Sequence, residues 1–439
     1  MTDYVIGEMA GGGVEVMDAG QRRRVVYAGA IGSVVEFYDF GIYGYAATTL
    51  AALFFPSSSP AAGLLAALAV FAIAFVARPI GSVLFGHIGD RMGRKPALAL
   101  AVIMMALATF AVGLLPAYAA IGVAAPSLLF VARLLQGLSA GGELSGAASI
   151  LAETALDHRR GLMTSTTQVG ALVGLLMASA IVGILNLVLT PQQFTEFGWR
   201  IPFLLALPTG LVGLYIRSKL EDSPAFERVL NKGEVASVPV IDVFRENFPA
   251  MLKATGLTAV NFAGYYIVFV YLSIYLQTVG TLSRGQATWS TTATLVVAAV
   301  TLPLFALLSD VIGRKPVIAG AGIGFLVLTF PLFKVMQGDN LTMIVAAQIA
   351  LGLCEAAIMG AIWATLTELF PTRVRYSGIG IGYNIAGVLV GGSAPYIATW
   401  LVSQTGDKSS PAYFLMAVSA VTLLTLLTVP ETAGRKMPA

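Results

Sequence analysis

The chain has 439 residues, 57% of them hydrophobic and 11% charged, whereas a soluble domain carries roughly 25% charged residues. Water is therefore not its main solvent, and a polytopic membrane protein is the first reading. The formal net charge of +3 reflects loop placement and is no nucleic-acid signal.

In chain order, residues 1–24 read as a cytoplasmic tail: acids, a Gly11-Gly12-Gly13 run and the Arg22 to Arg24 cluster. No short apolar core with a cleavage site is seen, so no cleaved signal peptide is expected. Crossing a bilayer takes about 20 apolar residues, and twelve such segments follow: 25–53, 62–88, 96–116, 123–151, 160–188, 198–219, 251–280, 285–310, 316–336, 341–368, 373–402 and 410–430. Each is expected to be helical, because lipid offers nothing to an unpaired backbone amide. A polar stretch, 220–250, separates two sets of six, giving an N-terminal half of 25–219 and a C-terminal half of 251–430. A short tail, 431–439, closes the chain. That tail carries no heptads.

Lys and Arg fix the orientation, since basic loops stay cytoplasmic. They crowd the even-numbered connections and both termini, while odd connections hold only Arg200, Arg284, Lys334 and Lys408. Both termini are thus expected in the cytoplasm and the chain in the plasma membrane. Cys354 is the only cysteine and there are two histidines. With no CxxC, HExxH or P-loop, no enzyme activity, metal or cofactor is expected.

An internal repeat supports the two halves. "GDRMGRKP" at 89–96 returns as "SDVIGRKP" at 309–316, and "ETALDHRRG" at 153–161 as "ELFPTRVRYSG" at 368–378, offsets of 220 and 215 residues. "LEDSP" at 220–224 and "VPETA" at 429–433 form a third pair. Six helices per half give both halves one orientation, related by an axis along the membrane normal, as in transporters.

The stretch "RPIGSVLFGHIGDRMGRKP" at 78–96 resembles the loop signature of the major facilitator superfamily. With "EFYDFGIYGY", "RLLQGLSAGGELSGA", "FGWRIPF" and "FPTRVRYSG", the chain is similar to the metabolite:proton symporter family, which includes carriers of α-ketoglutarate, citrate, shikimate and proline or glycine betaine. The resemblance implies an all-α fold of twelve transmembrane helices in two six-helix repeats, working by rocker-switch alternating access.

An ionisable group within the bilayer costs about 2.5 to 3.5 kcal/mol on insertion scales and is a functional candidate by default. Glu36, Asp39, Arg133, Glu143 and Glu355 qualify. Asp39 and Arg133 fall near mid-depth on helices of one half, so they are expected to pair, and separating them would load a proton on the acid. Glu36 lies one turn from Asp39 (i, i+3) and is expected to share its proton; either acid suits the carrier role. Glu143 suits a helix or loop anchor as well as transport. Arg133 maps by the 215-residue offset onto Gln348, and Asn261, Tyr265, Tyr266 and Phe269 gather on the seventh helix. Arg133, Tyr265, Asn261, Gln348, Glu355 and Gln168 are the expected substrate-site residues, the acid and aromatic faces suiting an ammonium group.

On the cytoplasmic side, Asp90, Arg94, Glu153, Arg159, Asp310, Arg314, Glu368 and Arg373 are expected to latch the halves in the outward-open state. Val311 replaces Arg91 in the second copy, so the C-terminal latch is expected to be weaker. The expected partners are a small carboxylate-bearing or zwitterionic metabolite, protons and lipid, with no nucleic acid. With Arg133 the one cation far from a span end, a monocarboxylate or zwitterion such as proline or betaine is favoured over a di- or tricarboxylate, unless Arg78 or Arg200 turns inward. A proton-antiporting exporter and a non-transporting receptor are the alternative classes.

Overall fold

A backbone in hydrocarbon must satisfy its N–H and C=O groups within the segment itself, and each apolar run does so as a helix. The computed structural model describes residues 19–57, 59–92, 94–141, 148–149, 151–153, 155–218, 247–371, 375–435 and 437–438, with side chains except at 19–28, 86–87, 89–98, 216–218 and 376. The expected linker lies largely outside the described residues, as does Glu143.

The helices are α1 (Ala19–Phe54), α2 (Pro60–Met92), α3 (Arg94–Leu114), α4 (Ala124–Ser139), α5 (Arg160–Val188) and α6 (Pro191–Tyr215), then α7 (Phe248–Thr278), α8 (Arg284–Ile312), α9 (Arg314–Val335), α10 (Leu341–Leu369), α11 (Ser377–Thr405) and α12 (Ser410–Leu427). Among the described residues, nine are long and apolar enough to cross a membrane by length and composition; α1, carrying two acids, and the shorter α3 and α4 complete the twelve. No strand occurs among the described residues.

Turn chemistry sets the ends. Thr190 with Gln193, and Ser283 with Gln286, form capping boxes that start α6 and α8, while the Asn340 side chain accepts from Met343 N at α10. Each satisfies a backbone donor left over at a helix start. Gly313, at φ 107°, makes the break between α8 and α9 in a conformation a side chain would oppose. The box at Thr190 moves the start of α6 seven residues ahead of the expected 198, through a π-turn at Phe194–Gly198. Further π-turns interrupt α7 at Ile267–Tyr271 and α11 at Gly387–Gly391, and such bulges free backbone carbonyls for other partners.

The halves meet along several seams. Ser179 on α5 shares a 2.6 Å hydrogen bond with Thr292 on α8, Tyr45 OH on α1 donates to Phe269 O on α7 at 2.7 Å, and Asn384 Nδ2 on α11 reaches Ser82 Oγ on α2 at 3.3 Å. Outward faces carry exposed Val83, Val300, Leu304 and Leu424, which would be a liability in water and suit contact with lipid. Buried at the centre, by contrast, are the charged side chains of Glu36, Asp39, Arg78, Arg133 and Glu355, among aromatic rings.

Candidate substrate and proton site

In the N-terminal half, α1 carries Asp39 into a buried cage built by α3 and α4. Arg133 Nη1 lies 3.4 Å from Asp39 Oδ2. Gln136 Nε2 donates to Asp39 Oδ1 at 2.6 Å, and Thr109 Oγ1 donates to the same oxygen. Gln136 also accepts from Arg133 Nη1 at 2.9 Å, closing the ring. The Arg133 guanidinium sits over Tyr43, Phe40 and Phe71 at 4.5, 5.0 and 5.3 Å. Its Nε and Nη2 have no hydrogen-bond partner among the described residues. Spare donors on a fully buried cation are unusual, because an unmade bond there costs about 1 to 3 kcal/mol.

Glu36 is placed differently from expectation. It pairs with Arg78 Nη2, so each of the two acids has its own guanidinium. Arg78 is 2% exposed and lies 5.4 Å from the centroids of both Phe40 and Phe75. Its Nε and Nη1 also have no hydrogen-bond partner among the described residues. The centre therefore holds a second cation besides Arg133, correcting the expectation of one. The reason is helical reach: α2 continues to Met92, which puts Arg78 well inside the span. Arg200 does not join them, since it donates to Gly113 O and Leu115 O at 3.1 and 2.7 Å and pins the outer end of α3.

The C-terminal half answers with acceptors and rings. Glu355 is wholly buried on α10, and neither carboxylate oxygen has a hydrogen-bond partner among the described residues. It lies against the bare Cα of Gly264 on α7, where an added Cβ would collide with Oε2. Asn261, one turn earlier, is 3% exposed with its Oδ1 unpartnered among the described residues. Tyr265 and Tyr266 follow Gly264. The Tyr265 ring meets Phe37 of α1 at 5.2 Å and Phe269 at 5.5 Å, and its hydroxyl reaches Ala171 O at 3.4 Å. The Tyr266 ring meets Phe75 at 5.1 Å, so it stands beside the ring that flanks Arg78. Phe262, Tyr383 and Trp363 extend the aromatic wall at 4.4 and 4.9 Å spacings.

Gln348 is satisfied within its own half: it accepts from Ser290 Oγ at 2.6 Å and donates to Thr291 Oγ1 at 3.0 Å and Val268 O at 3.1 Å. That last carbonyl belongs to the π-turn of α7. Gln168 is buried on α5.

Charged side chains join the halves on the cytoplasmic side. Asp310 accepts from the backbone of Gly161 and Leu162 at 2.8 and 3.0 Å, placing a carboxylate at the N-terminus of α5, where the helix dipole favours it. Arg314 holds Asp310 at 2.7 Å and Glu368 at 3.3 Å. Arg160 reaches across to Glu368 at 2.8 Å, and Arg375 reaches back to Glu153 at 2.7 Å. Arg159 is a correction: it ends the 3-10 turn Asp157–Arg159 and is exposed, while Arg160 begins α5 and faces inward. Arg373 and the side chains of Asp90 and Arg94 lie outside the described residues. The C-terminal copy of the loop makes these cross-half contacts without a basic residue at 311.

The C-terminal tail braces this cluster. Glu431 Oε1 and Oε2 accept from Arg314 N and Lys315 N at 2.9 and 3.0 Å, capping α9 from outside. Partial burial works to raise the Glu431 pKa, but hydrogen bonds from the backbone of Ala433, Arg314, Lys315 and Thr432 outweigh it and hold the carboxyl below its usual value. A depressed folded-state pKa stabilises the fold above the ordinary glutamate value and is lost as pH falls through the depressed one. Glu431→Gln is expected to cost about 1 kcal/mol at neutral pH, the size of a lost cap. Thermal unfolding in detergent should show the gap to the parent closing below about pH 4.

Two six-helix halves around a buried polar centre, with charged pairs across one end, are the architecture of a membrane transporter. The comparisons name the class further. Residues 25–243 match the family described as Sugar (and other) transporter, and 254–438 the Major Facilitator Superfamily. The chain is 34% identical to a proline/betaine transporter of Salmonella typhimurium, covering 97% of this chain and 87% of that one. It is 35% identical to a glycine betaine/proline/ectoine/pipecolic acid transporter of Dickeya dadantii (97% and 86% covered) and 38% identical to an inner membrane metabolite transport protein of Escherichia coli (95% and 96%). Its fold is similar to that of the xylose transporter of Escherichia coli in a partially occluded inward-open conformation, with TM-score 0.75, 17% identity, and 95% and 100% of the chains covered. The protein belongs to the major facilitator superfamily and is a multi-pass membrane transporter, not an enzyme.

Proposed function

We propose that the protein imports a small zwitterion, proline or glycine betaine in type, together with protons. One observation carries this reading: two buried guanidiniums whose spare donors have no hydrogen-bond partner among the described residues stand on one half, and a buried carboxylate likewise without a hydrogen-bond partner among them, beside aromatic walls, stands on the other. A carboxylate would satisfy Arg78 or Arg133, and an ammonium would satisfy Glu355 against the faces of Tyr265 and Tyr266. A dicarboxylate would leave Glu355 facing a like charge. The relatives at 34% and 35% identity, a proline/betaine and a glycine betaine/proline/ectoine/pipecolic acid transporter, support the same substrate class.

Asp39 is the proton carrier in this reading. Substrate carboxylate drawing on Arg133 weakens the hold on Asp39, and the released acid takes up a proton before the halves rock. The 25–219 and 251–430 units rock about this centre, and the Arg160–Glu368 and Arg375–Glu153 pairs must open for release to the cytoplasm.

Uptake of labelled glycine betaine and proline into proteoliposomes under an inside-alkaline pH gradient tests the proposal. Accumulation that a protonophore collapses is expected. Proton flux opposite to substrate would make the protein an exporter, and saturable binding without accumulation would make it a receptor.

A further inference from the structure

Toward the outer side, away from the central residues, the seam between the halves holds a half-open cavity of about 480 Å³. Asn186 and Leu187 of α5 form one wall, Arg284, Trp289 and Ser290 of α8 another, and Leu341 of α10 a third. Arg284 is the one charged residue among the described residues of this lining, and none of them is an acid. Its Nη1 is buried with no hydrogen-bond partner among the described residues, and its guanidinium lies 5.2 Å from the centroid of the Phe194 ring. The α8 helix start needs no help from a ligand, because Ser283 and Gln286 already cap it. Trp289 is 37% exposed, leaving part of its indole open. The floor leads inward: Ser290 bonds Gln348, and Gln348 bonds Val268 O in the π-turn that also carries Phe269.

We infer that this cavity is an outer reception site for the substrate, with Arg284 taking its carboxylate and the Trp289 face its ammonium. The inference rests on the importer reading above and adds a residue and a place to it. A lone guanidinium with a buried spare donor in a mostly apolar cleft has a hydrogen bond to give, so an incoming carboxylate gains a charge-assisted bond there. The indole supplies the matching surface for a methylated ammonium. From there the substrate is one hydrogen-bonded layer, Ser290 with Gln348, from the aromatic centre.

The test uses right-side-out vesicles holding the full chain, with external glycine betaine as probe and choline, which has no carboxylate, as competitor. For Arg284→Gln, the half-saturation concentration for external glycine betaine is expected to rise about tenfold or more, the worth of one charge-assisted hydrogen bond. The effect should fall on half-saturation rather than on maximal rate. Arg284→Lys should recover most of the loss, and inhibition by choline should be the same in parent and Arg284→Gln. Half-saturation from the cytoplasmic face, measured in inside-out vesicles, should not move. An unaltered external value in Arg284→Gln, or equal changes on both faces, would overturn the reception site while leaving the importer standing. A parent protein that takes up neither glycine betaine nor proline would overturn the importer reading and this inference with it.

Discussion

Asp39→Asn is expected to abolish accumulation of glycine betaine against a gradient while preserving exchange of internal for external substrate. The asparagine keeps one oxygen to accept from Gln136 and Thr109, so the cage around it survives in shape. It cannot carry a proton, and it leaves the Arg133 guanidinium buried without its anion. Removing one member of a buried pair typically costs about 3 to 5 kcal/mol, so some loss of stability is expected beside the loss of coupling. The double variant Asp39→Asn with Arg133→Gln removes the stranded charge and should regain stability without regaining accumulation. Paired measurements of pH-driven uptake and counterflow in proteoliposomes separate the two effects. Gradient-driven accumulation at parent levels in Asp39→Asn would reject Asp39 as the carrier.

The repeat in the sequence reappears as a crossed pair of ion bridges. Glu153 and Glu368 are related by the 215-residue offset, and so are Arg160 and Arg375. In the fold each arginine takes the acid of the opposite half. The cytoplasmic end is thus tied by two bridges from two copies of one segment, one to the buried Glu368 and one to the part-exposed Glu153. Opening that end breaks both, and burial of both arginines makes this costly unless water enters or substrate binding offsets it. Closure on the outer side rests on neutral contacts, Tyr45 with Phe269 and Ser179 with Thr292. Neutral hydrogen bonds are individually weaker than charge-assisted ones.

The helices were legible because a bilayer imposes length and apolarity on anything that crosses it. Asp39 and Arg133 were legible for the complementary reason, as charges where charge is expensive. Arg78 was harder to place, since an arginine ten residues from a span end also reads as one that reaches for the interface. The register of the repeat already pointed to Arg160 over Arg159, because the shift that maps Glu153 onto Glu368 maps Arg160 onto Arg375. Nothing in the sequence marks Thr109 and Gln136, since small neutral polar residues occur in many of these helices. Whether Glu355 has a partner depends on side chains from α7 and α11, which only the packed structure brings together.

Glu355→Gln is expected to weaken binding of glycine betaine about ten- to a hundredfold, the range of one to two tenfold steps of 1.4 kcal/mol each, while sparing the Asp39 cage. The side chain keeps its size and its place against Gly264 but loses the negative charge that the ammonium would neutralise. Aromatic faces alone hold a cation by about 0.5 to 2 kcal/mol, so weak residual binding should persist. Gly264→Ala supplies the independent check, because its Cβ would push Oε2 aside without altering any charge. A carboxylate displaced from the aromatic wall should lose affinity as the Glu355→Gln variant does, even though its charge remains. Equilibrium binding by purified protein, with tetramethylammonium as a carboxylate-free competitor, reads both variants on one scale. Glu355→Gln binding glycine betaine and tetramethylammonium as tightly as the parent would move the ammonium site elsewhere. Arg78 and Arg133 would then remain as the only charged contacts proposed for substrate at the centre, and a plain monocarboxylate would become the better candidate.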